Sequence, residues 1–149
     1  MYTKYLLVII ALLIGGLLSV QGSINSHLGA FLKHPLQAAF INFFVGTIVL
    51  FALNIVLKTE MPGTKELTKI PAYLFFGGLL GAIYVTSAVV LIPKIGVTSM
   101  LAASIAGQLI ISSIIDHFGF FDIPVHPISV GRIAGIILLS TGIFFIQRF

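Results

Sequence analysis

Four polar residues recur at intervals of four inside one apolar stretch: Ser104, Gln108, Ser112 and Asp116. On an α-helix each such step drifts by only about 40°, so they fall on one slanting stripe roughly 18 Å long. Gln21 and Asn25 repeat the interval in another apolar stretch, and Asn42 stands in a third. Tyr84, near Thr86 and Ser87, adds a phenol to a further one. Carboxamides offer both donors and acceptors, so Gln21, Asn25, Asn42 and Gln108 are suited to hydrogen-bonding a polar solute. They neither titrate nor attack. Asp116, with His117 beside it, is the candidate for moving a proton or pairing with a cation. The Ser/His/Asp set, the H-E-x-x-H pair, the Gly-rich phosphate loop and paired intramembrane carboxylates are all missing from the sequence, so an enzyme is not expected. His27, His34 and His126 are too scattered for a metal site, and the chain has no Cys. No metal and no cofactor are expected.

The elements that must carry these residues are apolar throughout. Of 149 residues 58% are hydrophobic and 8% are charged, against about 25% charged in a soluble domain. A chain with so few charges cannot solvate its own surface in water, and lipid must be the solvent for most of it. Five stretches, at about 5–28, 36–57, 72–92, 95–115 and 128–146, are each close to the roughly 20 residues a helix needs to cross a bilayer. The strict alternation of a membrane β-barrel is absent. The reading is an all-α, five-span membrane protein forming one domain over 1–149. The first stretch is long and four more follow it, so it reads as a span rather than a cleaved leader. Pro93 and Lys94 are read as closing the third span.

A polar stripe facing lipid leaves its groups unpaired at a cost of several kcal/mol each, on the order of 4–8 for transfer to a hydrocarbon. The stripe must therefore face protein or water. For Ser104, Ser112 and Asn54 the expected role is hydrogen bonding between helices, worth about 0.6–2 kcal/mol apiece. For Gln21, Asn25, Asn42 and Gln108 that role and solute binding stand level. Asp116 is read either as pairing with Arg132 at a helix end or as a coupling group.

Small residues recur at packing intervals: Gly77 with Gly81, Gly131 with Gly135, Ser99 with Ala103 and Gly107, and Gly15 with Ser19 and Ser23. Such faces let helix backbones approach closely in lipid. The net charge of +4 comes from single Lys and Arg residues scattered between spans. That pattern suits lipid headgroups and not nucleic acid. Lys4, Lys58, Lys65, Lys69 and Arg132 share one side; Lys33, Lys94 and Arg148 share the other. The bias favours a cytoplasmic N-terminus, but it is small enough that both orientations are open.

Several fragments together resemble the YdcZ-type family of small membrane proteins within the drug/metabolite transporter superfamily. They are Gln21 with Asn25, Asn42 with Gly46, Gly77 to Gly81, and Pro93-Lys94-Ile95-Gly96. Gly107-Gln108-Leu109, Asp116-His117-Phe118-Gly119, and Arg132 with Gly135 and Gly142 complete the set. The resemblance implies a multi-pass protein of the bacterial cytoplasmic (inner) membrane that exports a small solute. It also implies a working pair of oppositely oriented chains, either a homodimer of one dual-topology chain or a heterodimer with a homologue. The related small multidrug exporters carry a glutamate in their first span, where this chain has Gln21 and Asn25. Proton exchange through a central carboxylate is thereby thrown into doubt unless Asp116 supplies it. The expectation is a secondary transporter working by alternating access, with Gln21, Asn25, Asn42, Gln108 and Tyr84 around the solute. A non-transporting membrane subunit and a passive channel are the rivals.

Overall fold

A computed structural model describes residues 2–148, with side chains from residue 5 onward. Lys4, counted in the charge bias, lies outside the described side chains. The chain is all-helical in its long elements, and five helices are long and apolar enough to cross a membrane: Tyr5–Leu32, Pro35–Val56, Ala72–Ile95, Val97–Phe118 and Val130–Arg148. The helices are α1 (Tyr2–Leu32), α2 (Pro35–Val56), a short α3 (Thr64–Leu67), α4 (Phe76–Ile95, entered through a 3-10 turn at Ala72–Phe75), α5 (Val97–Phe118) and α6 (Val130–Arg148). They form two compact units, 1–94 and 95–149.

In the first unit, α1 runs four residues past the expected boundary at 28. The polar run from Gln21 to His27 does not break it, because no residue there lacks an N–H or requires positive φ. The helix ends where Lys33 takes φ 57° and Pro35 opens α2 at a position whose N–H has no helical partner in any case. Lys58, after α2, repeats the left-handed turn with φ 51°. Glycine usually fills that position. Lysine accepts about 1–2 kcal/mol of backbone strain there, and it places a cation at the negative end of the helix, level with the lipid headgroups. In the connection that follows, the Glu66 carboxylate accepts the Gly63 N–H at 2.9 Å and caps α3.

Pro93 does not close the third span. It sits inside α4, which continues to Ile95. So near the carboxyl end, proline removes only its own backbone hydrogen bond. The break comes at Gly96, whose φ of 82° favours glycine.

The packing of the first unit rests on α1 glycines that face β-branched side chains. A Cβ on Gly29 would stand 2.3 Å from Val89 Cγ1, and one on Gly22 would stand 3.0 Å from Ile92 Cδ1. The two glycines are seven residues apart, nearly two full turns, so they share one face of α1. Ala38, Ala39, Ala88, Val89 and Ile92 are buried around this seam, together with Asn25. Gly81 of α4 admits Phe43 of α2, at 3.4 Å from where its Cβ would be. Gly77, Gly107 and Gly135 have no atom within 4 Å of that position, and Gly131 has only Ser129 Oγ at 3.9 Å. Those faces are open among the described residues.

In the second unit, α5 ends at Gly119, where φ is 65° and a Cβ would meet Val125 Cγ2 at 2.7 Å. Glycine is required there on both counts. A tight turn at Phe120–Asp122 and an extended strap lead back to α6, which runs antiparallel to α5.

Gly29→Ala is expected to destabilise the protein by about 1–3 kcal/mol through overpacking against Val89. In a Val89→Ala background the same change should become neutral or stabilising, since alanine is the better helix former by about 1 kcal/mol. Thermal unfolding of the four proteins in one detergent checks this. Equal destabilisation in both backgrounds would show that Val89 is not the obstacle.

Candidate functional site

Six hydroxyls of the spans bond to carbonyls of their own helices. Ser104 Oγ donates to the Met100 carbonyl at 2.9 Å, Ser112 Oγ to Leu109 at 3.2 Å and Ser113 Oγ to Leu109 at 2.7 Å. Ser23, Thr47 and Thr141 do the same, with carbonyls four residues back. Asn54 Nδ2 donates to Leu50 O at 2.8 Å and its Oδ1 accepts from the Thr59 hydroxyl. The expectation that Ser104, Ser112 and Asn54 bond across helices is thus corrected. A short hydroxyl in lipid reaches the carbonyl of the preceding turn more easily than a neighbouring helix.

The amides of the first unit behave differently. A cavity of about 250 Å³ is lined by Gln21 from α1, by Asn42, Phe43, Gly46, Thr47 and Leu50 from α2, and by Val85 from α4. Asn42 is half-buried, and its Nδ2 is fully buried with no hydrogen-bond partner among the described residues. An unpaired buried amide costs about 1–3 kcal/mol. Rotation about the terminal torsion is soft, so either the donor or the acceptor end can be presented. Thr47 Oγ1 spends its proton on the Phe43 carbonyl at 2.8 Å, which leaves it an acceptor only. Phe43, Leu50 and Val85 supply apolar surface.

The structure therefore brings Gln21 and Asn42 to one cavity. Asn25 is one turn from Gln21 but is 4% exposed. It shares the packed face of α1 with Gly22 and Gly29 and does not line the cavity. Tyr84 is half-buried in α4 next to Val85 and does not line it either. Gln108 is exposed on α5, in the second unit. Thr47 and Phe43 are cavity residues that sequence reasoning missed. Helical spacing gave no signal for Thr47, since five residues after Asn42 it stands about 140° around α2.

Asp116 and His117 sit at a different kind of site, the junction of α5, the strap and α6. Asp116 Oδ2 lies 3.3 Å from Arg132 Nη1, with the two side chains 33% and 39% exposed. The same Nη1 donates to the His126 carbonyl at 3.0 Å. The His126 N–H donates to the Asp116 carbonyl at 2.8 Å. His117 Nδ1 accepts the Ile128 N–H at 3.2 Å, so the neutral ring carries its proton on Nε2. Ser129 Oγ accepts the Arg132 N–H at 3.3 Å and caps α6. The cluster clamps the strap onto the end of α5. Beside it, Leu109, Ser112, Ser113, Asp116, Arg132, Gly135 and Ile136 line a second cavity of about 360 Å³.

An all-helical chain with five membrane-length helices, and carboxamides gathered at a cavity within them, has the architecture of a small multi-pass membrane transporter. The family described as "Putative inner membrane exporter, YdcZ" matches residues 6–145. The chain is also similar to the "Inner membrane protein YdcZ" of Escherichia coli (strain K12). The two are 32% identical over 114 residues, covering 76% of this chain and 75% of that protein. The chain belongs to this YdcZ family and is a multi-pass protein of the inner membrane. That family is described as one of inner membrane exporters. No solved structure matches the chain.

Arg132→Ala is expected to speed proteolytic cleavage within 123–129 several-fold, because it frees both Asp116 and the His126 carbonyl. Asp116→Asn should do so less, since a third-exposed ion pair contributes about 1 kcal/mol or less. Limited proteolysis in detergent, timed by mass spectrometry, reads both. Identical cleavage in all three proteins would show that the clamp does not hold the strap.

Proposed function

We propose that this protein is a secondary transporter that exports a small polar or amphipathic solute by alternating access, as an antiparallel pair of chains. One observation carries the reading: the unpartnered, buried amide of Asn42 beside Gln21 and Thr47, inside a membrane-length bundle. Membrane helices satisfy their polar groups internally. A polar group left open in a cavity away from the helix ends is a binding group waiting for its ligand.

The solute is held by Gln21 and Asn42, with Phe43, Leu50 and Val85 around its apolar part. Asn25 serves through position: it lies one turn beyond Gln21 and fixes the α1 face on which that amide stands. An antiparallel pair provides the inverted repeat on which rocking about a central site depends. The odd number of spans and the small charge bias support that arrangement. The open glycine faces at Gly77, Gly107, Gly131 and Gly135 suit close, sliding contact with a second chain. The Escherichia coli relative is known by its place in the inner membrane and not by a solute, so the solute is not inherited from it.

Everted membrane vesicles incubated with a small-molecule extract of the host cell test this. The wild-type protein is expected to accumulate one or a few solutes, read by mass spectrometry, at least about tenfold above Asn42→Leu vesicles. Accumulation that is the same for both would remove Asn42 from the transport site. A reporter fused after Phe149 should register on both sides of the membrane if one chain makes its own antiparallel pair. A single orientation would mean that the pair requires an oppositely oriented homologue.

A further inference from the structure

The cavity at Asn42 also constrains the charge of what it holds. Every charged side chain of residues 5–148 lies in a connection or within two residues of the end of a membrane-length helix. Asp116 is two residues from the end of α5, Arg132 two from the start of α6, and Lys94 one from the end of α4. Asn42 is seven residues inside α2 and Gln21 eleven residues inside α1, counted from their shared turn. By the helical rise these are depths of about 10 and 16 Å. None of the residues lining the cavity is charged, and the charged side chains of the first unit all stand at helix ends or in connections.

An ion at that depth would stand unpaired against neutral amides and apolar walls, at a cost of about 3 kcal/mol or more. The hydrogen-bonding pattern narrows the solute further. The Asn42 amide, whose Nδ2 has no partner, can turn either its donor or its acceptor end to a solute. Thr47 Oγ1, its proton committed to the Phe43 carbonyl, is left as an acceptor elsewhere on the cavity wall, about 140° around the same helix from Asn42. Gln21 offers one of each across the cavity. The complement of the Gln21 amide is an acceptor and a donor side by side on an uncharged group.

We infer that the transported solute is uncharged and presents an amide-like edge, as in a carboxamide, a urea or the edge of a nucleobase, on an apolar body that rests against Phe43, Leu50 and Val85. This rests on the transport reading above and specifies the chemistry of the same cavity. The binding step neither takes up nor releases a proton at this site, because no lining residue titrates.

Three compounds of one size and shape separate the possibilities: benzamide, benzoate and benzamidinium. Each is offered to the full-length protein in lipid nanodiscs, and binding is read by saturation-transfer NMR against empty nanodiscs. Benzamide is expected to bind, and to lose at least about fivefold of its signal in Asn42→Leu and in the near-isosteric Thr47→Val. The benzamide signal should not change between pH 6 and pH 8. Benzoate and benzamidinium should give no signal above empty discs. Unchanged elution and circular dichroism establish that each variant is folded, and Thr47→Val guards against misfolding of Asn42→Leu. An Asn42-dependent signal from either ion, equal to or above that of benzamide, overturns the uncharged-solute inference and leaves the cavity as a binding site. Absence of any Asn42-dependent signal for all three overturns the cavity as the site and the inference with it.

Discussion

Hydrocarbon offers no hydrogen bonds, so each polar group in a spanning segment must find its partner within the protein. That constraint orders the rest of the molecule. It dictates helices, whose backbone groups are paired along one segment. It also explains why Ser23, Thr47, Ser104, Ser112, Ser113 and Thr141 all turn back onto carbonyls of their own helices. Charges are pushed to helix ends, where Lys33 and Lys58 occupy left-handed turns that glycine would fill with less strain. The Asn42 amide differs from these in having a buried Nδ2 with no hydrogen-bond partner among the described residues. A group that the fold itself leaves open, inside a helix and beside a cavity, is what a recognition site in a membrane requires.

Packing meets a second demand. Lipid tails are as apolar as leucine, so apolar burial alone does not drive helices together, and shape must do it. Gly22 and Gly29 remove the side chains from one face of α1 and let Ile92 and Val89 of α4 fill the space. Asn25 lies between them on that face and is buried in the seam. The same seam turns Gln21 toward α2 and the cavity. Close packing and solute recognition are thus neighbouring faces of one helix, separated by a single turn.

The fold was largely legible in the sequence because hydropathy acts on whole segments. Five apolar stretches of bilayer length gave five helices, and disagreements fell at their ends. α1 runs on through His27 to Leu32, and Pro93 lies inside α4, because a helix end is set by a residue that needs positive φ, here Lys33 or Gly96, and not by polarity or by a proline near the carboxyl end. The site was legible in part. Gln21 and Asn42 converge because each is a carboxamide in an otherwise apolar helix. Asn25 went to the packing seam, since spacing reveals which residues share a face but not what the face meets. The glycine repeats show the same limit. Gly81 meets Phe43, whereas Gly22 and Gly29, seven apart and in no GxxxG pair, carry the tightest contacts of the first unit.

The distribution of charge bears on how such a protein could be driven. Small exporters that exchange protons need an acid that protons and solute visit in turn, at the depth where the solute binds. Here the acid nearest a span, Asp116, is held by Arg132 at a helix end, where both side chains are about a third exposed and water has access. The pair clamps the strap between α5 and α6, and none of the residues lining the cavity of the first unit is an acid. A solute that carries no charge through such a cavity moves no charge across the membrane in its own binding step. Its movement follows its own concentration difference unless the helix-end cluster links strap opening to the proton gradient.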